Sequence, residues 1–112
     1  QYPEQIFILS DIYCRSSGDN FVQMMKQFKK VTVVGRPTIG ILDYSNCCTV
    51  DYGDYQLMFP TSRCLSLDQG KGMTDQGVEP DIEVPWSPDH FERDVDLDKC
   101  LELIRQSCET ER

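Results

Sequence analysis

Two short apolar runs rich in branched side chains, Ile6-Phe7-Ile8-Leu9 and Val31-Thr32-Val33-Val34, are separated by one amphipathic stretch of helical spacing from Asn20 to Phe28. Continuous apolar runs of this length read as strands buried on both faces, and two of them joined by a helix read as a parallel pair with a crossover. This unit sets an α/β class. The crossover is expected to be right-handed, as nearly all such connections are.

The turn between the first strand and the helix carries Cys14-Arg15-Ser16-Ser17-Gly18-Asp19. Ser16-x-x-Asp19 before an apolar run is close to a capping box, with Asp in place of Glu or Gln. The same position, at the carboxyl end of a buried strand and the start of a helix, is where α/β folds hold a nucleophilic hydroxyl. There the unpaired N–H groups of the first helical turn face a developing oxyanion. Ser16 and Ser17 therefore carry two readings, cap and nucleophile.

Motifs further along the chain separate the two. Val33-Val34-Gly35-Arg36-Pro37-Thr38-Ile39-Gly40 closes the second strand, and Gly77-Val78-Glu79-Pro80-Asp81 comes later. This ordered set resembles the tail-specific, or C-terminal-processing, serine peptidases and their tricorn-type relatives. The resemblance runs from Ile6 to Val84. It implies the C-terminal part of a crotonase/ClpP-like ββα peptidase core with a β-rich insert and a C-terminal helix. It also implies Ser16 as nucleophile, the backbone N–H of Ser17 as oxyanion donor, and Asp19 as the acidic residue of the turn.

Two positions depart from the pattern. Members that use a Ser-Lys dyad place the lysine directly after Thr-x-Gly, where this chain has Ile41, expected to pack among apolar neighbours. Tricorn-type relatives use an upstream histidine, supported by an acidic residue just before the Gly-Val segment. That position falls on Thr74, with Asp75 beside it. Thr74 and Asp75 are thus supporting candidates. His90, the one histidine, follows Asp89 but reads as a surface connector residue, and Lys71 reads as a solvated loop lysine.

The remaining segments fill out the same domain. Short β-rich runs are expected at Ile41-Leu42, Cys47–Val50, Tyr55–Phe59 and Arg63–Ser66, with a hairpin turn at Asp51-Tyr52-Gly53-Asp54. Phe21, Met24, Met25 and Phe28 read as a core-facing helix stripe, and Lys29-Lys30 as the basic end of that helix. From Val95, the residues Leu97, Leu101, Ile104 and Cys108 read as the buried stripe of a docking helix. Residues 1–86 are accordingly the C-terminal portion of a peptidase catalytic domain, and 87–112 its connector and docking helix. The start without methionine, almost directly in a strand, reads as a piece of a longer protein, lacking the glycine-rich loop of the second oxyanion donor.

Composition narrows the partners. A formal net charge of -8 with scattered Lys and Arg opposes contact with a phosphate backbone, so no nucleic acid is expected. No apolar run approaches the roughly 20 residues of a membrane-spanning helix. The six cysteines lack the paired spacing of a zinc site, and reduced, mostly structural thiols in a cytosolic setting are favoured, with export left open. No metal or cofactor is expected. The family resemblance implies a polypeptide substrate, and homo-oligomerisation is left open. Three functions remain: a serine endopeptidase whose base lies upstream, a non-catalytic relative that binds peptides or a partner, and, more distantly, an acyl-CoA-binding or hydrolysing protein of the same ββα fold.

Overall fold

A computed structural model describes residues 3–110. Strand β1 (Ile6–Ser10) leads through the serine turn into helix α1 (Ser17–Met25) and then strand β2 (Val31–Gly35). The hairpin of β3 (Tyr44–Asp51) and β4 (Gln56–Arg63) comes next, then a short helix α2 (Leu65–Asp68), a two-residue strand β5 (Ile82–Glu83), a 3-10 turn (Pro88–Phe91) and helix α3 (Val95–Thr110). Strands β1, β2 and β5 form a parallel sheet in that order, with Ile6 opposite Val31 and Ser10 opposite Gly35. The α/β class and the parallel pair joined by α1 are those expected from the two apolar runs.

Side-chain alternation divides this sheet between two helices. Val31 and Val33 turn toward α1, where Val22 completes the buried cluster with Ile6, Ile8, Cys14, Met25 and Val78 packed around it. Helix α3 lies across β2 and β1. Phe7, on the alternate face of β1, lines a recess with Ile104 and Ser107 of that helix.

Both helices sit rotated from the faces that hydrophobicity alone selects. On α1, Val22 reaches the core with Met25 packed against it, while Phe21 and Met24, and Phe28 beyond the helix end, are exposed. The helix ends at Met25, so Lys29-Lys30 falls in the turn before β2. On α3 the inward face is Asp96, Cys100, Leu103 and Ser107, while Leu97 and Leu101 are exposed and Ile104 and Cys108 edge the recess beside Phe7. The cause is Asp96. Its carboxylate takes two hydrogen bonds from the Arg36 guanidinium, at 3.0 and 2.6 Å, in a largely buried pair that fixes the rotation of the helix.

The hairpin turn lies where expected, with Asp51 Oδ1 accepting the Gly53 N–H at 2.7 Å and Tyr52 stacked on Tyr55. Its strands are longer than the apolar runs, because β4 continues through Pro60 to Arg63. Ile41-Leu42 is irregular, and Leu65 starts α2 rather than extending a strand. The hairpin stands clear of the sheet, and nearly all of its residues are exposed. The radius of gyration is consequently 18.0 Å, against about 13 Å for a compact chain of this size. The accessible surface is 8602 Å², against roughly 6,300 Å² for a compact monomer. Among the described residues no helix is long and apolar enough to cross a membrane.

The Arg36–Asp96 pair gives a direct test. Asp96→Ala leaves a guanidinium largely buried beside the Val84 carbonyl and His90, and should lower unfolding free energy by about 3 kcal/mol in urea titrations. A change below about 0.5 kcal/mol, the scale of an exposed pair, would refute the fixing role.

Candidate active site

Ser16 occupies the N-cap position of α1 with φ 55° and ψ −112°, and it is exposed. A simple cap has extended backbone. A non-glycine residue at positive φ costs about 1–3 kcal/mol and persists only when its surroundings enforce it. The enforcing group is Asp19, a carboxylate with 0% exposure. Its Oδ2 accepts the Ser16 N–H at 2.6 Å and the Ile41 N–H at 3.1 Å, and its Oδ1 accepts the Gly40 N–H at 3.0 Å. The Thr38 hydroxyl adds a further bond. Burial alone would raise the Asp19 pKa, but these donors outweigh it and hold the carboxyl below its ordinary value.

The position after Thr-x-Gly is therefore brought to the serine turn, since Ser16 and Ile41 share one carboxylate oxygen. The Ile41 side chain is 46% exposed, contrary to the expected apolar packing, because only its backbone is held. Ser17 opens α1, in the first helical turn whose N–H groups precede the intrahelical ladder. The Ser16 N–H is already committed to Asp19.

The two later motifs interlock beneath this turn. Thr38 Oγ1 accepts the Val78 N–H at 2.9 Å. Gly40 and Gly77, both at positive φ, pass so closely that a Cβ on Gly40 would come within 2.2 Å of the Met73 carbonyl oxygen, and one on Gly77 within 1.8 Å of the Thr38 oxygen. Both positions accept only glycine.

Thr74 and Asp75 join the assembly from its far side. Thr74 is turned to Asp43, whose Oδ2 accepts the Met73 N–H, the Thr74 N–H and the Thr74 hydroxyl at 2.6, 2.6 and 2.7 Å. Asp75, at φ 63°, gives its N–H to the Gly40 carbonyl, and its carboxylate makes no hydrogen bond among the described residues. Neither bonds to Ser16. Sequence reading missed Asp43, and nothing in the sequence marks it, because two of its donors are backbone groups 30 and 31 residues away.

His90 is not a loose surface residue. Its side chain is largely buried, with Nε2 3.2 Å from Arg36 and Nδ1 among Ser87 groups, and Trp86 stacks on the ring. Asp89 points elsewhere, to Arg93. Among the described residues, no imidazole or amine is hydrogen-bonded to Ser16. All six cysteines are free, yet Cys47, Cys48 and Cys108 are exposed, so a packing role fits only Cys14, Cys64 and Cys100. Among the described residues no group of three or more His, Cys, Asp or Glu side chains is placed to hold a metal ion.

This is the fold of an α/β peptidase core. The sequence model of peptidase family S41 matches residues 1–84, and the chain belongs to that family. A chain from Sulfurisphaera tokodaii named "Putative Tricorn-like protease C-terminal subunit" is 29% identical over 109 residues, 96% of this chain and 13% of that one. The crystal structure of the tricorn protease superimposes with a TM-score of 0.73 at 21% identity, over 92% of this chain and 10% of the other. A "putative peptidase from Parabacteroides merdae" does so with a TM-score of 0.60 at 18% identity, over 88% and 31%. Identities this low carry the fold alone. In each case the chain spans a small part of its relative's length.

Two outcomes test the strained turn. If Asp19 enforces an unfavourable Ser16 backbone, Ser16→Gly should raise stability by about 1 kcal/mol in chemical denaturation, because glycine adopts this conformation without strain. Loss of a simple cap would lower it by a few tenths instead. The second outcome is a pH dependence. With its folded pKa below the unfolded one, Asp19 contributes stability above the ordinary carboxylate range, near pH 4, and loses it as pH falls through the folded value. Asp19→Asn should therefore be less stable than wild type at pH 7 and lose less on acidification. Parallel stability–pH curves for the two proteins would contradict this.

Proposed function

We propose that this chain is the serine-bearing portion of a serine endopeptidase that hydrolyses peptide bonds in polypeptides, with its general base on a part of the protein outside this chain. In this reading residues 1–86 carry the catalytic elements, and 87–112 are the connector and docking helix of the same domain. The observation that carries it is the exposed, strained Ser16 locked by a buried carboxylate. Strain maintained at a surface hydroxyl is the arrangement of a nucleophile elbow.

The chemistry is set by the groups in place. Ser16 Oγ attacks the substrate carbonyl carbon while its proton passes to the base. The resulting oxyanion meets the Ser17 N–H, which must lie about 3 Å away, and a second donor from elsewhere in the protein. Collapse breaks the C–N bond, the leaving amine takes the proton, and water then hydrolyses the acyl-serine ester. Asp19 takes no proton. It holds the turn, and its depressed pKa keeps it ionised throughout the neutral range.

The second reading, a non-catalytic peptidase fold that binds peptides, is favoured by Ile41 at the lysine position and by the Thr74 hydroxyl already given to Asp43. One experiment separates the two. In the whole protein, Ser16→Ala should lower kcat/KM on an unfolded polypeptide by roughly 10³-fold or more and abolish labelling by a fluorophosphonate. Residues 1–112 alone, without a base, should show no turnover. Equal cleavage by wild type and Ser16→Ala would remove the assignment, and saturable peptide binding without labelling or turnover would establish the second reading.

A further inference from the structure

The segment from Thr38 to Asp43 is clamped at both ends by a buried carboxylate, but the two act in opposite senses. At one end Asp19 reaches in from α1 to take the Gly40 and Ile41 N–H groups. At the other the segment sends out its own carboxylate, Asp43, 1% exposed, to take three donors from Met73 and Thr74. The loop so captured presses back on Gly40. Asp75 N–H donates to the Gly40 carbonyl at 3.3 Å, and the Met73 carbonyl and Gly77 backbone leave no room for a Cβ there. Gly40 in turn donates to Asp19, which holds the Ser16 N–H.

We propose that Asp43 is a positioning residue for the serine elbow, acting through the Met73–Gly77 loop and Gly40 on Asp19. The inference rests on the peptidase reading only for its catalytic consequence. Its structural content is independent. The Met73–Asp43 and Gly40–Asp19 bonds are buried and those of Thr74 and Ser16 part-buried, so slack at Asp43 is little relieved by solvent and passes to the next link. Asp43 also anchors the hairpin, since its carbonyl accepts the Cys64 N–H at 2.7 Å where β4 ends. The elbow, the later loop and the hairpin root thus meet at one residue.

The test uses the whole protein with Asp43→Asn, Thr74→Val, Thr74→Ser and Leu67→Ala. Asparagine is isosteric but loses the charge that draws three donors to one oxygen. Amide hydrogen exchange should quicken by roughly tenfold at Gly40, Ile41 and Ser16 in Asp43→Asn and Thr74→Val, and remain near wild type in Thr74→Ser, which keeps the hydroxyl. Leu67→Ala, which removes packing beside Gly72 but leaves every hydrogen bond of the Asp43 carboxylate in place, should not transmit the change to Ser16. In turnover, Asp43→Asn should lower kcat by roughly ten- to a hundredfold with KM little changed, as expected of a misplaced nucleophile. Faster exchange confined to Met73 and Thr74, or equal acceleration at Ser16 in Leu67→Ala, overturns the proposal. Absence of serine labelling in wild type, with exchange at Ser16 still dependent on Asp43, overturns the peptidase reading and supports the positioning role. Should Asp43→Asn fail to fold, the Thr74 pair decides alone.

Discussion

A single buried carboxylate, Asp19, joins the serine turn to the Thr-x-Gly segment. A carboxylate out of water is costly unless its oxygens are fully engaged, and here the donors come from both the elbow and the segment after β2. The anion therefore needs both segments in place. Removing either would leave it short of partners, which makes the elbow and the Thr-x-Gly segment one unit rather than two neighbouring loops. The glycines answer the same need: the later loop must come close enough to support Gly40, and only positions without a Cβ permit it.

The sheet has a second anchor of a different kind. Asp81, partly exposed, is also held below the ordinary carboxylate range: partial desolvation raises its pKa, but the Val33 N–H it accepts and its pairing with Lys26 outweigh this. It joins β2 to the end of α1 and the entry of β5. Arg36 and Asp96 do the same across the opposite face. Charged pairs at element ends thus set register and rotation here, while apolar burial supplies a small cluster around Val22 and Val33.

This division explains what could be read from the sequence. The parallel pair β1–β2, the crossover helix, the hairpin turn and the terminal helix were legible because each depends on local periodicity or turn chemistry. Ser16, Ser17 and Asp19 were legible as one turn, since their spacing is local and the later motifs stand in a recognisable order. Helix rotation was not. Leu97 and Leu101 are more apolar than the residues that dock, and the inward face instead carries Asp96, paired with Arg36 60 residues away in sequence. Asp43 was invisible for the same reason: its partners are mostly backbone amides, which have no sequence signature. His90 was misread because exposure was inferred from its connector, whereas Arg36 and Trp86 enclose it.

The uncovered apolar faces and the ordered elbow belong to one physical argument. Phe21 and Met24 on α1, Phe28 just after it, Leu97 and Leu101 on α3 and Leu57 and Phe59 on the hairpin all remain exposed, so hydrophobic burial among the described residues is too limited to hold a strained turn by packing alone. Short-range polar bonding can do so without them. The donors to Asp19 and Asp43 are distant in sequence but converge on the two carboxylates, and hydrogen bonds to a buried charge contribute about 1.5–3 kcal/mol each, comparable to the cost of one strained backbone position. Preorganisation of the serine is thereby separated from whatever covers the apolar faces. The turn can keep its geometry whether or not those faces are covered.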